Sequence, residues 1–492
     1  MRLACPLERL DCLPIPEVKL NLECRHEIIP IVRGLQHLYG NVPLRQEALR
    51  LVGKDINSTS SRKHGRRGLS YWEILVLAAV RLGCNLDYDQ LQDLAENHRT
   101  LQQIMGIGAW EQDAVDFDGR RLEDNLIKIR PETLAKLNEL IVMAGHQLEP
   151  KAIEIVRGDT FVVETNIHYP TESTLIGDGL RKIVKLATEL AADHGQPGWR
   201  QHGHLLKNVK QLVREIGRAA RPGDSKSARV EPGYRQLLRL ADDLLERARE
   251  LFRAVSFPME PRLLASQGLG REQALLHYVE LTERVCGTAR RRVLLGETVP
   301  HDEKIFSIFE PHTELIKRGK QPNPIQFGHR VLVIEDAVGF IVGYQVVDPG
   351  VLEQDIVVPV MKKLQKQYAG KIKSASFDRG FHTPQNQKDL ADIVSTPCIA
   401  AKGQHQGRHQ HQAGTVAFRQ ARQNHPGVES ALGALQSGNG QKRCRDRGVR
   451  GYERYVALGI LGRNLQTLGK LLIARDKADC QAAQSKRKRV AS

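Results

Sequence analysis

The stretch Ile153-Glu-Ile-Val-Arg-Gly-Asp159-Thr-Phe-Val-Val163 decides the fold, because an apolar run ends there on a carboxylate. A second run, Ile372-Lys-Ser-Ala-Ser-Phe377, ends on Asp378 in the same way. An aspartate at the end of a buried strand is unfavourable unless its charge is matched. We therefore predict that two strands bring Asp159 and Asp378 to one charged site.

A third carboxylate, Glu429, lies in Gly427-Val-Glu-Ser-Ala-Leu432, ahead of a basic stretch that is compatible with a helix. Three carboxylates brought together can hold two divalent cations roughly 3.5–4 Å apart, the arrangement used for in-line displacement at phosphorus. One such aspartate alone is more often a turn residue that caps the next segment. Two of them with a downstream glutamate favour the metal site.

Other acidic residues near these segments compete for the same role. Asp336 is better explained as a hairpin-turn residue than as a metal ligand. The remaining competitors are Glu164, Glu172, Asp178, Glu335, Asp348 and Asp355.

The charge of the chain is positive and unevenly distributed. Its 492 residues carry a formal net charge of +16. Residues 401–492 hold 18 Lys and Arg against 5 Asp and Glu, a net charge of +13, and residues 181–300 hold 22 against 14, a net charge of +8. A basic excess concentrated in two segments indicates a polyanionic partner.

The cysteines and the hydropathy indicate a cytoplasmic protein. Eight cysteines are scattered without a CxxC pair, so we expect reduced thiols and no zinc ribbon. The N-terminal residues lack the apolar segment of a signal peptide, and no stretch has the apolar length of a membrane span. We expect no membrane partner.

Residues 1–150 are predicted to be mainly helical. Tyr71–Leu82 is an apolar-rich helix ending at Gly83, and shorter helices follow around Leu91 and Leu101. This pattern is typical of either a helix-turn-helix-like DNA-binding module or a plain helical bundle. The preceding basic loop contains Arg66 and Arg67, which either lie in a solvated linker or contact a phosphate.

The remainder predicts an α/β fold, a mixed sheet flanked by helices and interrupted by a helical insertion. Residues 151–180 begin a β region, and the apolar residues of 181–300 recur at helical spacing. From residue 325 the spacing of the apolar residues changes. It predicts a hairpin over 331–347, a helix over 357–368, and strands over 372–377 and 393–400.

Two basic segments follow the last predicted strand. Residues 402–412 are rich in Gln and His, and we interpret them as a flexible basic loop rather than a metal site. Residues 476–492 form a tail that ends in Ser485-Lys-Arg-Lys-Arg-Val490, which suits electrostatic binding to DNA better than a nuclear signal.

Four blocks resemble one family. Residues 159–174, Asp-Thr-Phe-Val-Val-Glu-Thr-Asn-Ile-His-Tyr-Pro-Thr-Glu-Ser-Thr, resemble the first-aspartate block of bacterial insertion-sequence transposases of the DDE type, in particular the loosely classified ISNCY family. Residues 308–321 with Phe327-Gly-His329 are similar to its middle block. Residues 376–381 resemble the second-aspartate block, and Gly427-Val-Glu429 with Lys442-Arg-Cys444 resembles the glutamate block.

The resemblance implies a fold and a set of domains. Residues 1–150 would be an N-terminal helical, helix-turn-helix-like domain. Residues 151–180 and 301–475 would form an RNase H-like DDE catalytic core, and residues 181–300 a helical insertion. Residues 476–492 would be a basic tail.

The resemblance also implies a DNA transposase that cleaves DNA and transfers strands. Asp159, Asp378 and Glu429 would be the catalytic residues and would bind two Mg²⁺ (or Mn²⁺) ions. The partners would be the terminal inverted repeats of its own element and target DNA, bound by a homodimer or higher multimer in a bacterial cytoplasm, at the nucleoid. Positions that could bind DNA are Arg379, Lys442, Arg443, Arg66 and Arg67.

The third block departs from the family pattern. His425 and Ala431 stand where Arg is usual, and Ser437 and Asn439 replace two further basic positions. Lost basic residues weaken contacts with DNA phosphates, although a protonated His425 could supply a partial contact. Two alternatives therefore stay open: a catalytically decayed transposase that only binds DNA, and a stand-alone RNase H-like nuclease.

Overall fold

The computed structural model describes residues 2–7, 9–57, 68–110, 115–222, 226–255, 270–317, 324–400 and 415–491, with side chains to residue 483 apart from that of Lys226. Arg66, Arg67 and the His-rich segment 402–412 lie outside the described residues. The backbone of 476–491 continues the last helix, and the side chains of 484–491 are outside the description.

The N-terminal part is helical, and long helices recur between the strands. The α-helices are α1 Ile28–Gly40, α2 Val42–Ile56, α3 Tyr71–Gly83, α4 Tyr88–Asn97, α5 Arg99–Met105, α6 Gly119–Leu126, α7 Pro131–Leu148, α8 Glu172–Asp193, α9 His202–Ala219, α10 Lys226–Val255, α11 Arg271–Ala289, α12 Glu353–Gln367, α13 Pro384–Ala391, α14 Val416–Asn424, α15 Gly427–Gly438 and α16 Gly448–Ala491.

A six-stranded mixed sheet is found in the described part of the chain, as predicted. The strands are β1 Ile155–Glu164, β2 Glu314–Lys317, β3 Ile325–Asp336, β4 Ile341–Val346, β5 Ser374–Phe377 and β6 Thr396–Ile399. Their order is β2-β3-β1-β5-β6, and β4 pairs with β3. β3 is antiparallel to β1 and β4, whereas β5 is parallel to β1 and β6.

The predicted hairpin forms between β3 and β4, and Asp336 is its turn residue. The Asp336 side chain is fully buried, and its Oδ1 accepts hydrogen bonds from the backbone N–H groups of Val338, Gly339 and Phe340, each at 2.9 Å. Its Oδ2 lies 2.8 Å from Nε2 of His146 in α7. These partners match its buried charge, so the turn interpretation is confirmed.

Two compact units make up the chain. The first comprises Met1–Asn166 and Gly328–Ser492, and the second comprises Ile167–Phe327. In the first unit, α16 packs against α1, α3 and α7 as well as β4. The N-terminal helices therefore share one compact unit with most of the sheet. In the second unit, α8 packs against α9, α10 and α11.

Inside the described ranges, no helix combines the length and the apolar character needed to cross a membrane.

Close helix packing in the first unit depends on glycines. A Cβ at Gly462 of α16 would lie 2.6 Å from the Cα and N atoms of Gly83, the last residue of α3. Backbone atoms cannot move aside as a flexible side chain can, so no larger residue fits without shifting a helix.

We predict that Gly462→Ala destabilises the first unit by about 1–3 kcal/mol, the usual range for overpacking. The matched control is Gly433→Ala in α15, where an added Cβ meets open space. There, the better helix propensity of Ala should leave stability unchanged or raise it by up to about 1 kcal/mol. Urea unfolding followed by circular dichroism measures both. Equal midpoints for the two variants would contradict the packing argument.

Candidate active site

Asp159 and Asp378 lie on neighbouring parallel strands. In the register of β1 and β5, Arg157 pairs with Ser376 and Gly158 with Phe377. Asp378 follows Phe377 in an extended conformation, with φ −73° and ψ 169°. Paired residues project to the same face of a sheet. Extending the register by one residue therefore places the two aspartates side by side, on the face that carries Arg157 and Ser376.

The environment of the two aspartates differs. β1 continues to Glu164, so Asp159 lies within the strand and not at its end, contrary to the expectation from the sequence. The apolar residues Phe161–Val163 extend the ladder with β3 beyond it. Asp159 is half-buried, and its Oδ1 accepts the Thr160 N–H at 2.7 Å. Asp378 is exposed.

Glu429 lies in the first turn of α15, which is anchored to β1. The guanidinium of Arg157 donates from Nη1 to the Asn424 carbonyl at the end of α14, at 3.2 Å. A Cβ at Gly427, the first residue of α15, would lie only 2.3 Å from the same Nη1. The start of α15 therefore packs directly on Arg157. Because Arg157 and Asp159 project to one face, the exposed Glu429 belongs to a helix docked on the face that carries Asp159.

His425 is close enough to Asp378 and Glu429 for their charges to affect its pKa. Its side chain is 8% exposed, and its Nδ1 lies 3.2 Å from the Ser376 hydroxyl. Burial, with the charge of Arg422, lowers the pKa of His425, although Asp378 and Glu429 act to raise it. The imidazole is therefore neutral near pH 7. Burial therefore disfavours the protonated form through which His425 would contact a phosphate.

The other departures from the family pattern are packed into the fold. Ala431 is 1% exposed, so an Arg at this position would have to displace core side chains before it reached a phosphate. Asn439, also 1% exposed, donates from Nδ2 to the carbonyls of Leu82 and Gly83 at 3.2 and 3.3 Å, which holds the end of α3. Ser437 is exposed and donates to the Gly433 carbonyl.

The donor chemistry of the site suits Mg²⁺ or Mn²⁺, which prefer oxygen ligands. Among the residues that the structure describes, however, no three His, Cys, Asp or Glu side chains are gathered so that they could hold a metal ion. Asp159, Asp378 and Glu429 thus approach one face without forming a closed ligand set. Because Asp378 and Glu429 are exposed, their side chains can rotate between rotamers.

The predicted DNA-binding residues that the structure describes lie at two places in the first unit. Arg379 is exposed and directly follows Asp378. Lys442 and Arg443 lie in a segment that pairs with the end of β1: the Glu164 N–H donates to the Lys442 carbonyl at 3.1 Å. Arg443 forms an ion pair with Glu164 at 3.2 Å, whereas the exposed Lys442 has no ion pair among the described residues.

Two supporting residues escaped the sequence interpretation. Glu335, considered only as a competing acid, accepts from Arg157 Nε at 2.8 Å. Glu353 accepts a hydrogen bond from the Thr160 hydroxyl, and a Cβ at Gly380 would lie 2.1 Å from Glu353 Oε2. Glu353 thus contacts both aspartate-bearing segments. The period-two spacing of Arg157 and Asp159 was a usable signal, whereas nothing local identified Glu353.

Comparisons of the chain with protein-family models, with curated proteins and with solved structures gave no match.

We predict a pH-dependent loss of stability from His425. Its lowered pKa in the folded state means that the unfolded state takes up a proton first as the pH falls below the ordinary value of 6.5. The stability due to neutral His425 is present above 6.5 and is lost on acidification toward the lowered pKa. Melting temperatures across this range should fall less steeply for His425→Asn than for the wild type. The control is His202→Asn, which changes an exposed histidine and should keep the slope of the wild type. A wild-type slope equal to that of His425→Asn would contradict the assignment.

Proposed function

We propose that this chain is a DNA transposase of the DDE type, which cleaves DNA at the ends of its element and joins the freed 3′ ends to target DNA. The observation that carries the proposal is the placement of Asp159 and Asp378 on neighbouring parallel strands, with the helix of Glu429 docked on the same sheet face. Fold alone does not imply function, so the proposal rests on these carboxylates.

The topology of the sheet supports an RNase H-like core. In the sheet, β3 lies beside both β1 and β4 and is antiparallel to each of them. On the other side of β1, β5 and β6 follow as parallel strands. This is the arrangement that we expect of such a core, with its acidic residues on β1 and after β5. The second compact unit, Ile167–Phe327, interrupts the chain between β1 and most of β3 and agrees with an insertion at this point.

The residues of this chain would hold and orient the reacting groups. Asp159, Asp378 and Glu429 would be the ligands of two Mg²⁺ or Mn²⁺ ions. When bound, such a pair lowers the pKa of an attacking water and stabilises the leaving 3′ oxygen. Arg157 fixes the start of α15, and Glu353 ties β1 to the segment after β5. Arg379, Lys442 and Arg443 would bind backbone phosphates.

A second candidate function is DNA binding without cleavage. One observation favours it: the described carboxylates do not form a closed ligand set. A stand-alone nuclease is a third outcome of the same test. The experiment incubates the chain, with Mg²⁺ or Mn²⁺, with DNA that carries the sequences flanking its gene and with a target plasmid. Nicking with joining supports the transposase, nicking alone supports a nuclease, and neither supports the binding protein.

We predict that Asp159→Asn and Asp378→Asn each reduce metal-dependent cleavage to background and leave DNA affinity unchanged within about twofold. Each substitution removes a ligand charge and little volume, and removing charge from a transition-state site lowers the rate rather than ground-state binding. Asp392→Asn, an exposed aspartate at the end of α13, is the matched control and should cleave as the wild type does. Cleavage by Asp378→Asn within a few-fold of the wild type would exclude it as a ligand.

We also predict that DNA affinity falls steeply with salt, because log K decreases by about 0.9 for each neutralised phosphate per log unit of salt. Lys442→Ala should lower the slope by about one contact. Arg443→Ala should have a smaller effect, since Arg443 is already paired with Glu164. Fluorescence anisotropy with a labelled duplex at several salt concentrations measures both. A slope unaffected by Lys442→Ala would remove this residue from the DNA contact.

A further inference from the structure

A cavity of about 310 Å³ lies within the second unit, and its lining contains none of the residues discussed as catalytic. Its volume falls in the range of small-ligand pockets. One wall is formed by the segment that precedes α8, and the other by the segment after α11 and by the first residues of β3. Residues that line it include Tyr169, Arg292, His301, Lys304, Phe306 and Phe327.

Aromatic rings form one side of this cavity. Tyr169 and Phe327 meet edge to face, with ring centroids 5.7 Å apart and an angle of 88° between the planes. Phe327 in turn packs against the buried Phe306 at 5.6 Å. Tyr169 is nevertheless 72% exposed. An edge-to-face pair leaves a ring face uncovered, so this side of the cavity offers a supported aromatic surface to a flat, apolar ligand.

Basic groups lie on the same cavity. Arg292 is paired with Glu172. Lys304 is half-buried and has no ion pair in the described part of the chain, and the exposed His301 lies beside it. The cavity thus combines an open aromatic face with an unmatched positive charge. A ligand that suits both features carries a planar ring and a negative group.

We propose that this cavity binds an unpaired base of a DNA strand together with its phosphate. Stacking on Tyr169 requires an exposed base face, which a strand offers only where it is unpaired or where a base is turned out of the duplex. Lys304 binds the adjoining phosphate. The choice of DNA as the polymer rests on the proposed function, in which 3′ strand ends are freed and joined. The cavity itself is defined by the second unit alone.

The test measures binding and needs no cleavage. The full chain is titrated, without divalent metal, with a fluorescent single-stranded oligonucleotide and with a duplex of the same sequence. We expect Tyr169→Ala to weaken single-strand binding by about 5-fold to 150-fold, the range of one base–aromatic stack, and to leave duplex affinity unchanged. Tyr169→Phe should bind as the wild type does. Lys304→Ala should reduce the salt slope for the single strand by about 0.7.

Phe309→Ala is the matched control, because Phe309 is an exposed aromatic residue of the same unit that does not line the cavity. A fluorescent base analogue that is quenched by the wild type and not by Tyr169→Ala would show the stack directly. Unchanged single-strand affinity in Tyr169→Ala and Lys304→Ala would overturn the proposal. Tighter binding of an RNA strand than of the DNA strand would overturn the choice of polymer.

The failure of this proposal differs from a failure of the proposed function. If Tyr169→Ala binds single strands normally while the wild type still cleaves and joins DNA, the cavity assignment is wrong and the transposase assignment stands. If the wild type does not cleave DNA and the Tyr169→Ala variant binds single strands more weakly than the wild type, the cavity assignment stands and the transposase assignment fails. Asp378→Asn should retain single-strand binding in either case.

Discussion

The ion pair between the half-buried Arg157 and the buried Glu335 is the interaction on which the candidate site depends. The two residues pair across β1 and β3, and the guanidinium also holds the junction of α14 and α15 through the Asn424 carbonyl. Burial raises the pKa of Glu335, and the charge of Arg157 opposes that rise. Removing one member of a buried pair leaves an unmatched charge and typically costs about 3–5 kcal/mol. Without Arg157, the hydrogen bond to the Asn424 carbonyl and the surface on which Gly427 packs would both be lost. The position of Glu429 in α15 would then no longer be defined.

A second constraint is the passage of α16 through the first unit. Asn464 of α16 accepts the Ile341 N–H, donates to the Ile341 carbonyl and donates to Asn138 of α7. One buried amide thereby ties β4 and α7 to the central helix. Buried polar groups are tolerated when they are hydrogen-bonded, and such a network favours one arrangement of its members over others. The sheet that carries the aspartates is thus fixed from its antiparallel side.

Much of the secondary structure could be predicted from the sequence, because its signals are local. The change of period after residue 325 predicted the hairpin, and the apolar-rich run Tyr71–Leu82 predicted α3. The boundary at Asp159 was wrong because the sequence reads Gly-Asp-Thr like a turn, whereas pairing with β3 continues the strand. Pairing with a strand about 170 residues later is a non-local effect that no window of sequence contains.

The candidate site could be predicted only in part, for the same reason. Asp159, Asp378 and Glu429 were found through the local context of each residue. The spacing of Arg157 from Asp159 indicated a shared face, but its contact with Asn424 could not be predicted. Glu353 could not be assigned a role, since it contacts segments far away in the chain. The identity of His425 and Asn439 suggested lost phosphate contacts, yet both side chains are buried and hydrogen-bonded. A polar residue that replaces a basic one can therefore reflect packing rather than decay.

The exposure of Asp378 and Glu429 also bears on how the site could close. Three negative charges that meet closely repel one another unless cations or nearby positive side chains compensate. Arg157 is already paired with Glu335, and burial lowers the pKa of His425. The fold therefore supplies a rigid sheet position for Asp159, a less restrained one for Asp378, and a helix-borne one for Glu429. In such an arrangement the strands and Arg157 set the directions of approach, and closure of the ligand set depends on side-chain rotation at the two exposed positions.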